Sequence, residues 1–134
     1  MTKFLIDASA LYPLIHRIKE NVLLHSDKFA ILDLTIYEIG NIIWKEYKRG
    51  KIKDPVLVMK MFEEIMRNMK KLSSNHEMLE IFDVAVKNNI TFYDASYIYV
   101  ARKHGLKLVT EDADLLKFPE SISLRVLLKE LNLN

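Results

Sequence analysis

Phe4-Leu5-Ile6-Asp7-Ala8-Ser9 is the stretch that decides how this chain folds. Three apolar residues run straight into a carboxylate. In an open parallel α/β sheet, strands are short apolar runs and ligands sit beyond their carboxyl ends. The stretch therefore predicts a strand over Lys3–Asp7, with Ser9 capping a short helix to about Arg17 and Pro13 tolerated only near its first turn. The same alternation continues outward. A second strand is expected over Phe29–Leu32, then a helix from about Ile36 to Arg49 that stops at Gly50. Asp54-Pro55 reads as N-cap and first helical position, opening a helix to about Leu72. Ser74 or Asn75 caps the next helix, which reaches about Asn88, and Ile90-Thr91 forms a very short extended piece. A helix over Tyr93–His104 stops at Gly105. Leu106–Thr110 and Ile122–Leu127 are the late strands. Short apolar runs alternating with longer amphipathic ones read as βαβ units around a parallel sheet.

Composition limits the choices. The chain has 134 residues, half of them apolar, with no repeat and no linker, so a single domain over 1–134 is expected. A chain of this size buries roughly two-thirds of its unfolded surface and needs no staple. It has no cysteine, which excludes disulfides, thiolate metal sites and cysteine nucleophiles and suits a reducing, cytoplasmic setting. The longest apolar run, Tyr97-Ile98-Tyr99-Val100-Ala101, is far short of the ~20 residues of a membrane span. The N-terminus enters Phe4-Leu5-Ile6-Asp7 directly, so neither a signal peptide nor a membrane association is expected. A net charge of +2 is too mild to argue for nucleic acid by itself.

The acids carry more information. Asp7 ends the first strand, and Leu106–Thr110 also runs into acids, Glu111, Asp112 and Asp114. Two strands delivering carboxylates to one sheet edge suggest a cation site, although Asp7 alone could simply cap the next helix. Thr35-Ile36-Tyr37-Glu38 fits a capping box, in which Glu38 reaches back to the Thr35 amide. Glu38 also lies off the apolar stripe of Ile36, Ile39, Ile43 and Tyr47, free for either role. Asp94 aligns with Tyr97, Ile98 and Ala101 on the apolar side of its helix. A carboxylate there costs several kcal/mol unless it is paired, faces a helix dipole or binds a metal. Acids on four elements, with no His or Cys beside them, suit Mg²⁺ or Mn²⁺ rather than Zn²⁺. Such ions serve phosphodiester cleavage.

Four short motifs now stand in order: Ile6-Asp7-Ala8-Ser9, Thr35-Ile36-Tyr37-Glu38-Ile39-Gly40-Asn41, Tyr93-Asp94-Ala95-Ser96-Tyr97 and Leu108-Val109-Thr110-Glu111-Asp112-Ala113-Asp114-Leu115. Over nearly the whole chain they resemble the PIN domain, and in particular the small VapC-type ribonuclease toxins. The resemblance implies a PIN-like three-layer α/β/α sandwich with a short central parallel sheet. It implies a divalent-metal-dependent endoribonuclease in which water attacks in line and leaves 5′-phosphate and 3′-hydroxyl ends. Asp7, Glu38, Asp94 and Asp112 match the catalytic acids, with Asp7, Asp94 and Asp112 as metal-binding positions. Ser9, Asn41, Thr110 and Asp114 match supporting positions, Asp114 being the least regular. The implied cofactor is Mg²⁺ or Mn²⁺, and the implied partners are an RNA substrate, an antitoxin protein and a second copy of the chain.

Other signals were weighed against plainer readings. The scattered His16, His25, His76 and His104 show no ligand spacing. Lys45, Lys48, Arg49, Lys51 and Lys53, with Trp44 and Tyr47, could contact a nucleic-acid backbone or simply solvate a helix end. Tyr12, Tyr93, Tyr97 and Tyr99 suit packing more than base stacking. In the helix after Pro55, the stripe Leu57, Met61, Ile65 and Met69 is expected to pack on the domain, leaving Val58, Met59, Phe62 and Met66 for a dimer. Alternatives to the toxin are a stand-alone RNA-processing PIN nuclease and a non-catalytic RNA- or protein-binding module. An aspartate-nucleophile phosphatase ranks lower, because the position two residues after Asp7 is Ser9 rather than a second Asp.

Overall fold

The computed structural model describes residues 1–73 and 77–133. Strands β1 (Phe4–Ile6), β2 (Phe29–Leu32), β3 (Lys70–Leu72), β4 (Lys107–Val109) and β5 (Ser121–Ile122) form one parallel sheet in the order β3-β2-β1-β4-β5. Helices α1 (Ala8–Ile18), α2 (Asp33–Lys48), α3 (Pro55–Arg67), α4 (Met78–Asn88), α5 (Phe92–His104) and α6 (Leu124–Glu130) cover it, with 3₁₀ segments at Lys19–Lys28 and Leu115–Lys117. Among the described residues, no helix is long and apolar enough to cross a membrane.

The three layers follow from the two-residue period of a strand. Phe4, Ile6, Phe29, Ile31 and Val109 face a core built with α1, α2, α3 and α6, from residues such as Leu11, Ile39, Phe62 and Leu127. Leu5, Ala30, Leu32 and Leu108 face the opposite core with Tyr97, Ile98, Val100 and Ala101 of α5. β1 is buried on both sides, as a central parallel strand must be, and Leu5 pairs with Ala30 on one side and Leu108 on the other. The expected α/β/α sandwich is therefore present. After β1 the chain adds β2 and β3 on one side, then crosses to add β4 and β5 on the other. The order reverses at β1 and β4, where an open α/β sheet parts to form its ligand crevice.

Several boundaries differ from the sequence reading. Asp7, not Ser9, caps α1, accepting from the Ala10 amide. α2 starts at Asp33 because Thr35 serves from inside the first turn, accepting from the Leu32 amide. α3 ends at Arg67, and Lys70–Leu72, read as its last turn, is an edge strand paired with β2. Two lysines in a three-residue strand leave an edge that resists further pairing. Ile90 and Thr91 form no strand; Thr91 is the N-cap of α5. The last strand stops at Ile122, because Ser123 accepts from the Val126 amide and opens α6. The expected caps Ser74 and Asn75, like His76, lie outside the described residues.

The apolar face of α3 is also placed differently. Phe62, Ile65, Met66 and Met69 are buried, whereas Leu57 is 65% exposed. Phe62 stacks on Tyr12 at 5.4 Å. Ile65 and Met69 pack on the domain as expected, and Phe62 and Met66, expected to await a partner, close the core with them, while Met59 is exposed.

Candidate active site

Each candidate acid is delivered to the carboxyl edge of the sheet by a separate element. Asp7 follows β1 and caps α1, and Asp112 lies three residues past the end of β4. Glu38 lies in the second turn of α2 and Asp94 in the first turn of α5. The helix N-termini gathered here turn their partial positive charge toward the acids.

Asp7 is buried and accepts three hydrogen bonds from the chain itself. Its Oδ1 accepts from Ser9 Oγ at 2.6 Å and from the Ala10 amide at 3.1 Å. Its Oδ2 accepts from Thr110 Oγ1 at 2.6 Å, tying the end of β1 to the end of β4. Each hydroxyl has one proton, and both are given to Asp7, so the 3.3 Å approach of Ser9 Oγ to Thr110 Oγ1 carries no proton of its own. The same two oxygens accept in turn, Ser9 from the Glu111 amide at 2.9 Å and Thr110 from the Asp112 amide at 3.1 Å. Ser9 and Thr110 thus fix both Asp7 and the loop that carries Asp112. That loop closes on Asp112 Oδ1, which accepts from the Asp114 amide at 2.8 Å.

Glu38 is held by a second chain of hydroxyls. Tyr97, 2% exposed on α5, donates to Glu38 Oε1 at 2.6 Å. Its proton spent, the phenol oxygen takes the Thr35 hydroxyl proton at 2.7 Å, and Thr35 accepts from the Leu32 amide. The expected capping box does not form: Thr35 is already inside the helix, and Glu38 faces α5. The sequence favours packing over base stacking for Tyr97 and gives it no place in the acid site. The signal for more was its hydroxyl, since a tyrosine on a buried stripe must find a polar partner.

Charge crowding shows in the acids themselves. Burial lifts the Asp7 carboxyl above its ordinary value against the pull of its hydroxyl donors, and the Asp112 charge adds to the rise. Burial raises Glu38 as well, opposed by the Tyr97 hydrogen bond and helped by Asp7 and Asp94. Asp94, half-buried, is raised by burial and then by Asp112, Asp7 and Asp114. Among the described residues, none of Asp7, Glu38, Asp94 and Asp112 forms an ion pair, so the salt-bridge explanation for Asp94 fails. Asp114 is exposed and meets Lys117 at 3.7 Å, standing at the rim of the cluster. Asn41, one turn after Glu38, is exposed. The donor set is all oxygen and its charge is uncompensated, which is the chemistry that selects a hard divalent cation. Among the described residues, no three acids converge into a ready cage for one.

The family profile described as PIN domain matches residues 4–121. The chain is 42% identical over 120 residues to Exonuclease VapC9 of Pyrobaculum aerophilum, covering 85% of this chain and 84% of that protein. It is 34% identical over 130 residues to Ribonuclease VapC3 of the same organism, covering 90% and 98% respectively. A crystal structure of PAE2754 from Pyrobaculum aerophilum superposes with a TM-score of 0.87 at 41% identity, over 98% of this chain and 97% of that one. A chain of a toxin-antitoxin complex from Klebsiella pneumoniae shares the fold, with a TM-score of 0.66 at 16% identity over 91% and 98%. The profile and the two relatives agree with the architecture described above: this chain belongs to the PIN domain family, as a VapC-type member.

Proposed function

We propose that the chain is a divalent-metal-dependent endoribonuclease, the toxin of a VapBC-type toxin–antitoxin pair working in the cytoplasm. The observation that carries this reading is the unpaired acid cluster. Four carboxylates from four elements lie near enough at the crossover of a parallel sheet to repel one another, none of them forms an ion pair among the described residues, and burial and that repulsion raise three of them. Two relatives named as nucleases support it.

Asp7, Asp94 and Asp112 would hold Mg²⁺ or Mn²⁺ through oxygen, which offsets their repulsion. The bound ion supplies a more acidic water and neutralises charge on the phosphate. The protein's own groups do the positioning. Ser9 and Thr110 lock both Asp7 oxygens by donating to them, and with the Ala10 amide also on Oδ1 it is Oδ2 that keeps a lone pair for a ligand. Tyr97 occupies Glu38 Oε1, so Oε2 is the oxygen left to accept a proton from the attacking water. Water adds to phosphorus, the P–O3′ bond breaks, and the 3′ oxygen leaves with a proton. The products are a 5′-phosphate and a 3′-hydroxyl. Asn41 and Asp114 border this centre as supporting residues. The reading extends to an antitoxin that blocks the site and to a homodimer.

A circular single-stranded RNA tests the proposal, because only an internal cut opens it. The purified chain is expected to linearise it with Mg²⁺ or Mn²⁺, to stop in excess EDTA, and to lose the activity in Asp94→Asn. Cleavage that persists in EDTA overturns the metal role. Trimming of linear RNA with intact circles makes the enzyme an exonuclease.

A further inference from the structure

The outer face of α2 carries a row of side chains of which the acid site uses Asn41 alone. Tyr37, Asn41, Trp44 and Lys48 follow at i, i+4, i+7 and i+11, one line along a helix. Tyr37 is 75% exposed and Trp44 58%, while Thr35, Ile39 and Ile43 bury the opposite side of the same helix. The row starts one residue before Glu38 and runs about 16 Å from the acid edge at 1.5 Å per residue.

Charge surrounds it. Residues 41–53 hold five cations, Lys45, Lys48, Arg49, Lys51 and Lys53, and one acid, Glu46. Among the described residues the four lysines enter no ion pair, and Arg49 reaches Glu46 at only 4.0 Å. Glu46 is half-buried on the Tyr12 side, where burial and then the Glu46 charge raise the Tyr12 phenol. The exposed side of the helix is therefore positive. A protein partner would match large exposed aromatics with apolar neighbours. Exposed aromatic faces interleaved with unpaired cations match a polyanion with free bases, which is the composition of a single-strand track.

We propose that this face of α2 guides single-stranded RNA into the acid site, with bases stacked on Tyr37 and Trp44 and phosphates on Lys45, Lys48 and Lys51. Duplex RNA hides its base faces and gains only the phosphate contacts. The inference rests on the nuclease reading for the fate of the bound strand, and it places substrate selection for unpaired RNA on α2.

Trp44 is the sole tryptophan, so its emission reports this face alone. In EDTA, a short oligouridine is expected to quench it, while an RNA duplex of equal length and inorganic polyphosphate leave it nearly unchanged. Tyr37→Ala and Lys48→Glu are expected to weaken oligouridine binding about tenfold each, and to raise KM for single-stranded cleavage with kcat retained. Equal quenching by polyphosphate or duplex overturns the proposal. So does a Trp44 signal that follows protein concentration instead of RNA, which would mark a protein contact. A chain that binds oligouridine in this way but cleaves no RNA overturns the nuclease reading and upholds the track. A chain that cleaves RNA with unchanged KM in both variants overturns the track alone.

Discussion

Tyr97 reaches from α5 across to α2 and donates its phenol proton to Glu38, 59 positions earlier in the chain, at 2.6 Å. This bond joins a buried side chain to a half-buried acid and passes through Thr35 to the start of α2. It makes Glu38 a positioned group of the site. Tyr97→Phe is expected to cost about 1–3 kcal/mol, because the Thr35 hydroxyl loses its acceptor and Glu38 its donor. Cleavage should fall alongside. Denaturant unfolding and a cleavage rate measured on the same preparation check both. Full stability with full activity would show that the relay carries neither function.

Glu38→Gln isolates the charge from the geometry. A glutamine carbonyl still accepts from Tyr97, and the helix cap does not depend on this residue. Stability is expected to hold or rise, since one repelling charge is gone. Cleavage is expected to drop by orders of magnitude. A silent Glu38→Gln would reduce the catalytic set to the three aspartates.

Asp94→Asn and Asp7→Asn should both abolish cleavage but differ in stability. Asp94 is half-buried and donor-poor, so removing its charge relieves first the cost of burying it and then the repulsion from Asp112, Asp7 and Asp114, and stabilises the metal-free protein. Asp7 accepts two hydroxyl protons, one on each oxygen. An asparagine turns one of these positions into a donor facing a hydroxyl that must then reorient. Asp7→Asn is therefore expected to gain nothing and to lose about 1–2 kcal/mol. Thermal unfolding in EDTA distinguishes the pair.

The pH dependence follows from the direction of the shifts. Asp7, Glu38 and Asp94 all have folded-state values above the ordinary carboxylate range. The folded chain thus holds more protons than the unfolded chain between the ordinary value and the raised one. Their contribution to stability is full below the ordinary value and is lost as pH rises through the raised values. In EDTA, the melting temperature should fall as pH climbs from about 4 through that window, as far as these three groups govern it. Mn²⁺ should reverse the trend, since it binds only the deprotonated acids. Melting scans with and without the metal test the opposed slopes.

Association must be probed away from Phe62. Phe62 is 2% exposed, so Phe62→Glu buries an unpaired charge and is expected to unfold the chain. Leu79, Phe82 and Val86 on α4 are 77%, 57% and 63% exposed and form an apolar stripe at i, i+3 and i+7. Phe82→Glu should keep the helical circular-dichroism signal and convert a dimer to a monomer by light scattering. A dimer indifferent to this change has its contact elsewhere.

Local pattern alone determined the sheet's central strands, the five main helices and the four acids. Phe4-Leu5-Ile6 and Leu108-Val109 are continuous apolar runs because both sheet faces cover them, and such runs announce themselves. Asp7, Asp94 and Asp112 stood out because they follow or interrupt apolar elements, whereas Glu38 lies off the apolar stripe of its helix and stood out only by its place in a capping-box pattern. The short edge elements were not legible: β3 is two lysines and a leucine, placed by its pairing with β2 and by the burial of Leu72. β5 and α6 share an apolar stretch that Ser123 divides, and a cap bond decides where. Only the tertiary structure decided what each acid touches. Thr110 meets Asp7 across 103 positions, and Tyr97 meets Glu38 across 59. A hydroxyl on a strand end or a buried stripe shows its type in the sequence, but its partner is chosen by the crossing of the chain at β1 and β4.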